Sequence, residues 1–451
     1  MQMIKPVLGF MMIFLVMEVQ AQNDNPSSTQ KVTTLKITPE ITHQLIDSIR
    51  KVLVEKYIFR DTAIKMVDYL EKQYKRGIYD SITDPTELER KLYKDLRLVH
   101  RDVHFRLIYA PGMAKNLSAQ FDSLSQKKAD STNVVNMQND NYFFHKVEIL
   151  SGNIGYIKFN GFTDLIEQAK PTLNAAFRFV MNTKALIIDL RENRGGSPDM
   201  VSQIESYFFP GRKHMNDIVT RSPDSTIVFW TDPKNADGIM LSMPVYMLTS
   251  KSTVSGAEDL AYAMQSVHRA VIIGDTTAGG AHPTGMYNIG FGFIGAIPVA
   301  RTLNPYTHTD WEGTGVYPDI PVSSDEALKT AERLFFKEEI GKAGTVIKKR
   351  QLEWTMKDLL ASQSDEIQDS QSLVLYTGNY TGGLIFYVQG HYLYCRNKER
   401  GNRIFKLKHI EGNEFVLDDR NEIQFVKNES GKVTGCRVFA SSGEERDKTK
   451  E

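Results

Sequence analysis

Ser255 stands where a hydroxyl group is useful for acyl transfer. It lies at the junction of a polar turn and a helical pattern within the stretch Pro244–Gly280. At the start of a helix the first N–H groups have no intrahelical partners, so an oxyanion formed there would lie beside the amide of Gly256. The segment Ser255–Glu258 also has the sequence of a capping box, with Ser255 at the N-cap and Glu258 as the acidic residue at N3. Ser255 is therefore either a nucleophile or only a helix cap.

Two histidines are candidates for the base that such a serine needs. His104 follows Asp102 and Val103 where a helical pattern changes to a strand, whereas His282 lies in a glycine-rich loop. A base must be held within hydrogen-bond reach of the serine, and a strand end holds a ring more firmly than a loop does. We predict His104 as the base, with a pKa of about 6.5 or somewhat higher beside a carboxylate. We predict that His282 lines the substrate cleft or is solvated.

One glutamate and two glycines complete the candidate site. Glu312 is flanked by an aromatic residue and a glycine, a setting that can fix a carboxylate; a solvated loop carboxylate is the alternative. Gly195 and Gly196 precede a helix start, where N–H groups point at anions; a plain turn that needs glycine is the alternative. The dinucleotide-type pattern in Gly290–Gly295 is rejected, because such a pattern must follow a strand and open a helix, whereas this one lies inside an alternating strand-like run that leads into Pro298. We predict no cofactor and no metal site.

The elements that must position these residues alternate between strand and helix patterns. Strand-like runs at Ile154–Phe159, Ala185–Leu190, Val245–Leu248 and Ala270–Gly274 enclose amphipathic helices, which predicts a mainly parallel, buried sheet. Three amphipathic helices precede this region, and six short alternating runs follow it and predict a small antiparallel sheet or barrel. The polar stretch 110–140 is predicted to be a loop with a helical turn or two.

The fold class is therefore multidomain α/β, with an N-terminal helical bundle, an α/β core and a small C-terminal antiparallel β domain. The predicted segments are a signal peptide (1–21), a linker (22–36), a helical N-terminal domain (37–110), the α/β core (111–345), a helical connector (346–369) and the β domain (370–451).

The N-terminus predicts export. Lys5 precedes an apolar run, Val7–Met17, and Val19-Gln20-Ala21 is a cleavage pattern, so the mature chain would begin at Gln22. An uncleaved anchor is the alternative. No later segment is apolar for long enough to span a bilayer, so we expect a periplasmic or extracellular protein without a stable membrane span.

Composition shows no electrostatic footprint for nucleic acid, because 55 basic and 55 acidic residues give a formal charge of zero, and we expect no nucleic-acid partner. The two cysteines, Cys395 and Cys436, could pair in an exported protein, although two cysteines define no disulfide framework. The sequence does not define the number of subunits.

Four motifs between His104 and Val322 resemble the S41 peptidase family of C-terminal-processing and tricorn-type serine proteases. Asp-Val-His at the start of this region also resembles the family's Asp-Gly-His. The four motifs are ALIIDLRENRGG (185–196), STVSGAE (252–258), VIIGDTTAGG (271–280) and WEGTGVYPD (311–319).

The resemblance is to the tricorn and interphotoreceptor-retinoid-binding branch of that family. The stretch Thr277–His282 holds no lysine, so the Ser/Lys dyad of the processing branch is not expected, and 110–140 is too short for that branch's PDZ domain. The resemblance implies a three-helix N-terminal unit and a crotonase/ClpP-like α/β core.

The resemblance also implies a function and the residues that perform it. Ser255 would be the nucleophile, His104 the base and Glu312 its orienting group, with an oxyanion hole formed by Gly256 and either Gly195 or Gly196. The chain would then be an exported serine endopeptidase that acts on peptide or protein substrates. The alternative is a non-catalytic module that binds apolar ligands or peptides, as retinoid-binding relatives do. The presence of serine, histidine and glutamate together favours the enzyme.

Overall fold

The computed structural model describes residues 35–118, 123–221, 224–362, 370–418 and 420–451. The predicted signal peptide and most of the predicted linker lie outside the described residues. The described chain divides into two compact units. The first contains the described residues up to Glu148 together with Gly155–Asp325, and the second contains Ile149–Ile154 and Glu326–Glu451. The finer division of the first unit into a helical domain and a core stays a prediction.

Three amphipathic helices open the described chain, as the sequence predicts: α1 (Pro39–Lys56), α2 (Arg60–Lys75) and α3 (Pro85–Val99). The first and third begin at side-chain caps, because Thr38 and Asp84 each accept a hydrogen bond from an amide of the first turn. Their apolar faces pack into one buried cluster that also contains residues of later strands.

The remaining elements of the first unit alternate between helices and strands. The helices are α4 (Pro111–Ser118), α5 (Ser123–Asn139), α6 (Ile166–Val180), α7 (Pro198–Glu205) and α8 (Gly256–Ser266). The strands are β1 (Arg106–Tyr109), β2 (Phe144–Leu150), β3 (Ile154–Phe159), β4 (Ala185–Asp189), β5 (His214–Arg221), β6 (Asp224–Trp230), β7 (Val245–Thr249), β8 (Val271–Gly274), β9 (Thr284–Gly290), β10 (Phe293–Pro298), β11 (Ala300–Leu303) and β12 (Ile320–Pro321).

A six-stranded sheet in the order β12-β8-β7-β4-β3-β2 forms the centre of this unit. Strand β7 pairs in parallel with β4 and with β8, and β8 pairs in parallel with β12. Every residue of β4 and β7 is buried, as expected for a parallel sheet that is covered on both faces. Because the carboxyl ends of parallel strands meet at one edge, the loops that follow β4, β7 and β8 lie together there. Those loops carry the predicted glycines, the serine and His282.

Two smaller antiparallel sheets, β1-β10-β9 and β11-β5-β6, complete the unit. Pairing of β1 with β10 joins the strand that follows His104 to the hairpin that follows His282. The rejected dinucleotide pattern lies in the β9–β10 hairpin, which confirms that it opens no helix.

The prediction of a loop over 110–140 is wrong, because α4 and α5 occupy most of it. The sequence of α5 is polar on nearly every side and has no apolar stripe. It therefore gives no periodic signal of a helix.

The second unit contains helices followed by antiparallel sheets. Its helices are α9 (Ser324–Gly341), which starts at the unit boundary, α10 (Val346–Ser362) and α11 (Ser370–Val374). Its strands are β13 (Gly378–Tyr380), β14 (Leu384–Gln389), β15 (Tyr392–Asn397), β16 (Arg403–Lys406), β17 (Lys408–Glu411), β18 (Glu414–Asp418), β19 (Asn421–Lys427), β20 (Val433–Ala440) and β21 (Glu445–Thr449). They form one sheet of four strands and one of five, both in sequential order, where the sequence predicts a single small sheet or barrel.

Cys395 and Cys436 are buried free thiols in the core between these two sheets, so the disulfide considered from the sequence is not formed. Burial raises the pKa of each thiol to about 12, which leaves both unreactive at neutral pH. Within the described ranges no helix is both long and apolar enough to cross a membrane.

Two buried carboxyl groups lie between α7 and α8, beneath the start of the latter helix. Glu205 is 1% exposed and Asp259 is 7% exposed, and the Asn216 side chain donates a 2.9 Å hydrogen bond to Asp259. Burial raises the pKa of Asp259 to about 7. Burial, together with the charge of Asp259, raises the pKa of Glu205 as well. A raised carboxyl pKa means that the folded protein retains protons that the unfolded chain releases.

We therefore expect the fold to lose stability as pH rises from about 4 to about 7, because the folded state retains the Asp259 proton over that range. Asp259→Asn keeps the oxygen that accepts from Asn216 and removes the ionisation. Its melting temperature should exceed that of the wild type by about 3 °C or more at pH 8 and match it near pH 4. The control is Asp164→Asn, which changes an exposed carboxylate. An equal effect of Asp259→Asn at both pH values would contradict the prediction.

Candidate active site

Ser255 lies in a strained turn between β7 and α8. Its φ is +61° and its ψ is −122°, a conformation that non-glycine residues rarely adopt, and the residue is 5% exposed. The preceding turn is fixed by Thr253, whose hydroxyl donates to the Leu190 carbonyl at the end of β4 and accepts from the Ser250 amide. Strain of this kind, of order 1–3 kcal/mol, persists where the surroundings enforce it and is concentrated at functional sites. A residue that only caps a helix does not require this strained backbone conformation.

The Glu258 carboxylate binds this turn to the loop after β8. Its two oxygens accept hydrogen bonds from the amides of Ser255 (2.8 Å), Gly279 (2.7 Å) and Gly280 (2.9 Å) and from the Thr277 hydroxyl. Glu258 is fully buried, and burial raises its pKa although these four bonds favour the ionised form. The carboxylate half of the predicted capping box is thus formed. The same carboxylate also holds the loop after β8 against the serine turn, a contact that the sequence does not reveal.

The glycine turn after β4 lies directly against the serine turn. A Cβ on Gly195 would be 2.7 Å from the Ser255 Cβ, and one on Gly196, whose φ is +140°, would be 2.1 Å from the Phe162 carbonyl oxygen. Only glycine permits this approach. The Gly195 amide already donates a 2.8 Å hydrogen bond to the Asn193 side chain, so the predicted use of this amide in an oxyanion hole is corrected.

The amides of Gly196 and Gly256 lie close together. A Cβ on Gly256 would be 3.2 Å from the Gly196 nitrogen. Across the described ranges, neither amide donates a hydrogen bond to a protein acceptor. Two adjacent N–H groups beside a serine hydroxyl are the arrangement that stabilises an oxyanion.

Asn193 is a buried residue of the site that the sequence analysis missed. Its Nδ2 donates to the Phe159 carbonyl (2.9 Å), its Oδ1 accepts from Gly195, and its own carbonyl accepts from Val254 (3.3 Å). It therefore joins β3, the glycine turn and the serine turn. The signal available in the sequence was an asparagine two residues before a glycine, which is typical of a turn closed by a side chain.

Asp102 and His282 form a buried hydrogen-bonded pair. His282 Nδ1 lies 2.8 Å from Asp102 Oδ2, and the two side chains are 2% and 1% exposed. Burial alone would raise the pKa of Asp102, but the hydrogen bond and charge of His282, together with the bond from the His104 amide, outweigh it and hold the pKa below its usual range. Burial would likewise lower the pKa of His282, and Asp102 raises it instead. His282 is therefore neither solvated nor exposed in a cleft, because Asp102 holds it inside the protein.

Asp102 also fixes the backbone that carries His104. Its Oδ1 accepts a 3.0 Å hydrogen bond from the His104 amide, and its Oδ2 accepts one of 3.0 Å from the Tyr57 hydroxyl. Tyr57 is the C-terminal cap residue of α1. The N-terminal helices thereby contribute directly to the position of the predicted base.

Glu312 bridges the segments that carry the two histidines. Its Oε1 accepts from the Val103 amide (3.2 Å) and its Oε2 from the Ala281 amide (2.6 Å), and Oε2 lies 3.5 Å from His282 Nδ1. Burial, with a smaller contribution from the charge of Asp102, raises the pKa of Glu312 to about 7. The alternative of a solvated loop carboxylate is therefore wrong.

His104 packs against the loop that Glu258 holds. A Cβ on Gly280 would be 2.5 Å from His104 Cε1, so only a glycine leaves room for the imidazole there. Burial lowers the pKa of His104 to about 4, and the expected pKa of about 6.5 or higher is wrong. The ring is therefore neutral at physiological pH, which is the form that accepts a proton.

One group in the described part of the chain has the donor types and spacing of metal ligands. It consists of Asp102, His282 and Glu312, whose donor atoms all lie within 4.8 Å of one another. These atoms are already engaged with one another and with the Val103, His104 and Ala281 amides and the Tyr57 hydroxyl. A metal ion would have to displace several of these bonds, and we assign none.

Comparison with known proteins identifies both parts of the first unit. Residues 153–322 match the model of peptidase family S41. Residues 27–150 match the model of the N-terminal domain of S41 peptidases in eukaryotic IRBP.

Similar sequences include two processing proteases. A chloroplastic carboxyl-terminal-processing peptidase 2 of Arabidopsis thaliana is 32% identical over 176 residues, which cover 38% of this chain and 32% of the relative. A carboxy-terminal-processing protease of Bartonella bacilliformis is 28% identical over 180 residues, covering 38% of this chain and 39% of the relative. The chain thus spans about a third of the length of the curated relatives it matches.

A crystal structure of a protein from Parabacteroides merdae superposes with a TM-score of 0.49 at 20% identity, covering 65% of this chain and 96% of that one. The resemblance inferred from the four motifs is confirmed by the two family models, which together cover residues 27–150 and 153–322, and the chain belongs to peptidase family S41.

Proposed function

We propose that this protein is an exported serine endopeptidase that cleaves peptide bonds through an acyl-enzyme on Ser255. The observation that carries the proposal is the strained backbone of Ser255 beside the amides of Gly196 and Gly256, which have no protein acceptor within the described segments. The processing proteases to which the chain is similar support hydrolysis of a peptide bond. The joint presence of Ser255, His104 and Glu312 supports an enzyme over the alternative of a binding module.

In the proposed reaction, His104 accepts the Ser255 proton as the hydroxyl oxygen attacks the substrate carbonyl. The negative charge that develops on the carbonyl oxygen is stabilised by the N–H groups of Gly196 and Gly256. The tetrahedral intermediate expels the amine, which receives the proton from His104. Water then attacks the acyl-enzyme with the same base and regenerates the serine.

Two carboxylates would stabilise the protonated base. Asp102 is bonded to the His104 amide and its charge favours the cationic imidazole, and Glu312 is bonded to the amide of the preceding residue. Burial keeps His104 neutral in the resting enzyme. The two carboxylates stabilise its cation once it has taken the serine proton.

Ser255→Ala tests whether this residue is a nucleophile or only a cap. We expect the variant to lose reaction with a serine-directed phosphonate and to lower casein hydrolysis by at least about a thousandfold. Its melting temperature should change little, because loss of a cap costs about 1 kcal/mol. Ser252→Ala, in the same turn, is the matched control and should keep both activities. Normal labelling of folded Ser255→Ala would show that the nucleophile lies elsewhere.

Glu258→Gln tests the carboxylate that joins the serine turn to the glycine loop. An amide offers one oxygen where two now accept, and its NH2 group would face N–H donors. We expect kcat to fall by about a hundredfold or more, since misplaced catalytic groups cost that much. Glu192→Gln, at an exposed carboxylate in the neighbouring glycine turn, should have little effect. A Glu258→Gln variant with the wild-type kcat would exclude the positioning role.

The pH profile of kcat/KM tests the role of Glu312. Because its pKa is about 7 and the ionised form stabilises the cationic base, activity should rise as pH increases through about 7. In Glu312→Gln this limb should disappear, leaving lower activity that declines only towards pH 4, where His104 protonates. Glu192→Gln should retain the limb near pH 7. A limb that persists there in Glu312→Gln would assign it to another group.

A further inference from the structure

Strand β6 forms an exposed edge of the sheet β11-β5-β6. It pairs with β5 on one side, and within the described ranges no strand pairs with its outer edge. Six of its seven residues are exposed, on both faces of the sheet, and they include Ile227 (40%), Val228 (45%) and Trp230 (41%). Edge strands commonly carry a lysine, a proline or a bulge that prevents pairing with another chain. The sequence of β6, DSTIVFW, contains neither lysine nor proline.

The regular pleat of β6 identifies the backbone groups that face outward. The Thr231 amide, directly after the strand, donates a 2.9 Å hydrogen bond to the Lys213 carbonyl and so points towards β5. The extra residue at the register shift of this pair belongs to β5, so the N–H directions alternate without interruption along β6. The N–H and C=O groups of Thr226 and Val228 therefore point away from β5. They form a row of donors and acceptors that fits a further antiparallel strand.

We propose that two copies of this chain associate by pairing their β6 strands, which joins their sheets into one continuous sheet. Strands related by a two-fold axis are antiparallel, and each contact then occurs twice. With Ile227 on the axis, all seven residues of each strand have a partner. Thr226 lies opposite the partner's Val228, and their outward amides and carbonyls bond to each other on both sides of the axis. The interface is independent of the proposed peptidase function, because β6 contains none of the residues assigned to the reaction.

The charges at the two ends of β6 favour a second copy as the partner and Ile227 as the centre. Asp224 begins the strand, whereas at its end the Arg212 guanidinium lies over the Trp230 ring, 5.3 Å from the ring centroid. Asp224 and Trp230 are an even number of residues apart and therefore lie on the same face of the sheet. The two-fold axis places Asp224 opposite the partner's Trp230 and beside the partner's Arg212, so opposite charges meet twice. The Trp230 carbonyl accepts a 2.9 Å hydrogen bond from Ser202 Oγ, so side-chain contacts dominate at this end.

The test is sedimentation equilibrium of the full chain and of variants with reversed charges. We expect the wild type to form dimers at about 100 µM, because small interfaces give weak association. Asp224→Arg and Arg212→Asp, at exposed side chains, should each weaken dimerisation about tenfold or more, since each brings like charges together twice. An equimolar mixture of these two variants should restore dimerisation, because every contact between the two chains again joins opposite charges. Glu429→Lys, which reverses an exposed charge outside β6, should have no effect.

The backbone pairing is tested by changing the outward-facing amides. Thr226→Pro removes one of them and should abolish dimerisation, whereas Thr226→Val keeps the amide and should leave dimerisation intact. If Thr226→Pro does not fold, Val228→Lys replaces it, because a lysine on an edge strand opposes pairing.

Three outcomes would overturn the proposal. A folded Thr226→Pro variant that dimerises normally would place the interface elsewhere. A mixture of the charge variants that dimerises no better than either variant alone would exclude the two-fold pairing centred on Ile227. A wild type that stays monomeric at about 1 mM would exclude the dimer. In that case, a change in Trp230 fluorescence on addition of casein would assign the edge to a different polypeptide.

Discussion

The buried carboxylate of Glu258 is the constraint on which the geometry of the active site depends. It accepts hydrogen bonds from the serine turn and from three residues of the loop after β8, so these two segments have fixed positions relative to each other. Parallel pairing of β7 with β8 brings the loops to the same edge, but strand pairing alone does not set their conformations. The strained φ of Ser255 is held in part by this network. A residue that looks like a local cap is therefore the link between distant parts of the chain.

A second carboxylate continues this link towards the predicted base. Glu312 accepts from Ala281, directly after the loop that Glu258 binds, and from Val103, directly before His104. Each of these acids is desolvated by burial, which raises its pKa and costs stability, as does the pair Glu205 and Asp259 beneath α8. Concentrating buried acids around one helix start is unfavourable for folding but gives a preorganised site. This is the usual relation between stability and function.

The sequence predicted features that depend on local patterns. Apolar periodicity located the three N-terminal helices and the buried strands. The catalytic roles that the motifs indicate for Ser255 and Glu312 stay predictions. Features that depend on contacts between distant residues were missed. Nothing near Asn193 shows that it reaches β3, and nothing near His282 shows that Asp102, 180 residues earlier, holds it inside the protein. Helix α5 was missed for a different reason, because it has no apolar stripe to detect.

The two histidines differ in a way that separates their roles. Burial lowers the pKa of His104 to about 4. Burial also acts to lower the pKa of His282, but the hydrogen bond and charge of Asp102, with the charge of Glu312, outweigh it and raise that pKa. When His282 is protonated, its charge offsets that of Asp102 and lowers the pKa values of both His104 and Glu312. A proton acceptor must be neutral before the reaction, and the lowered pKa of His104 satisfies this condition at neutral pH. His282, bonded to Asp102 and 3.5 Å from Glu312, is proposed to position the base rather than to transfer the proton.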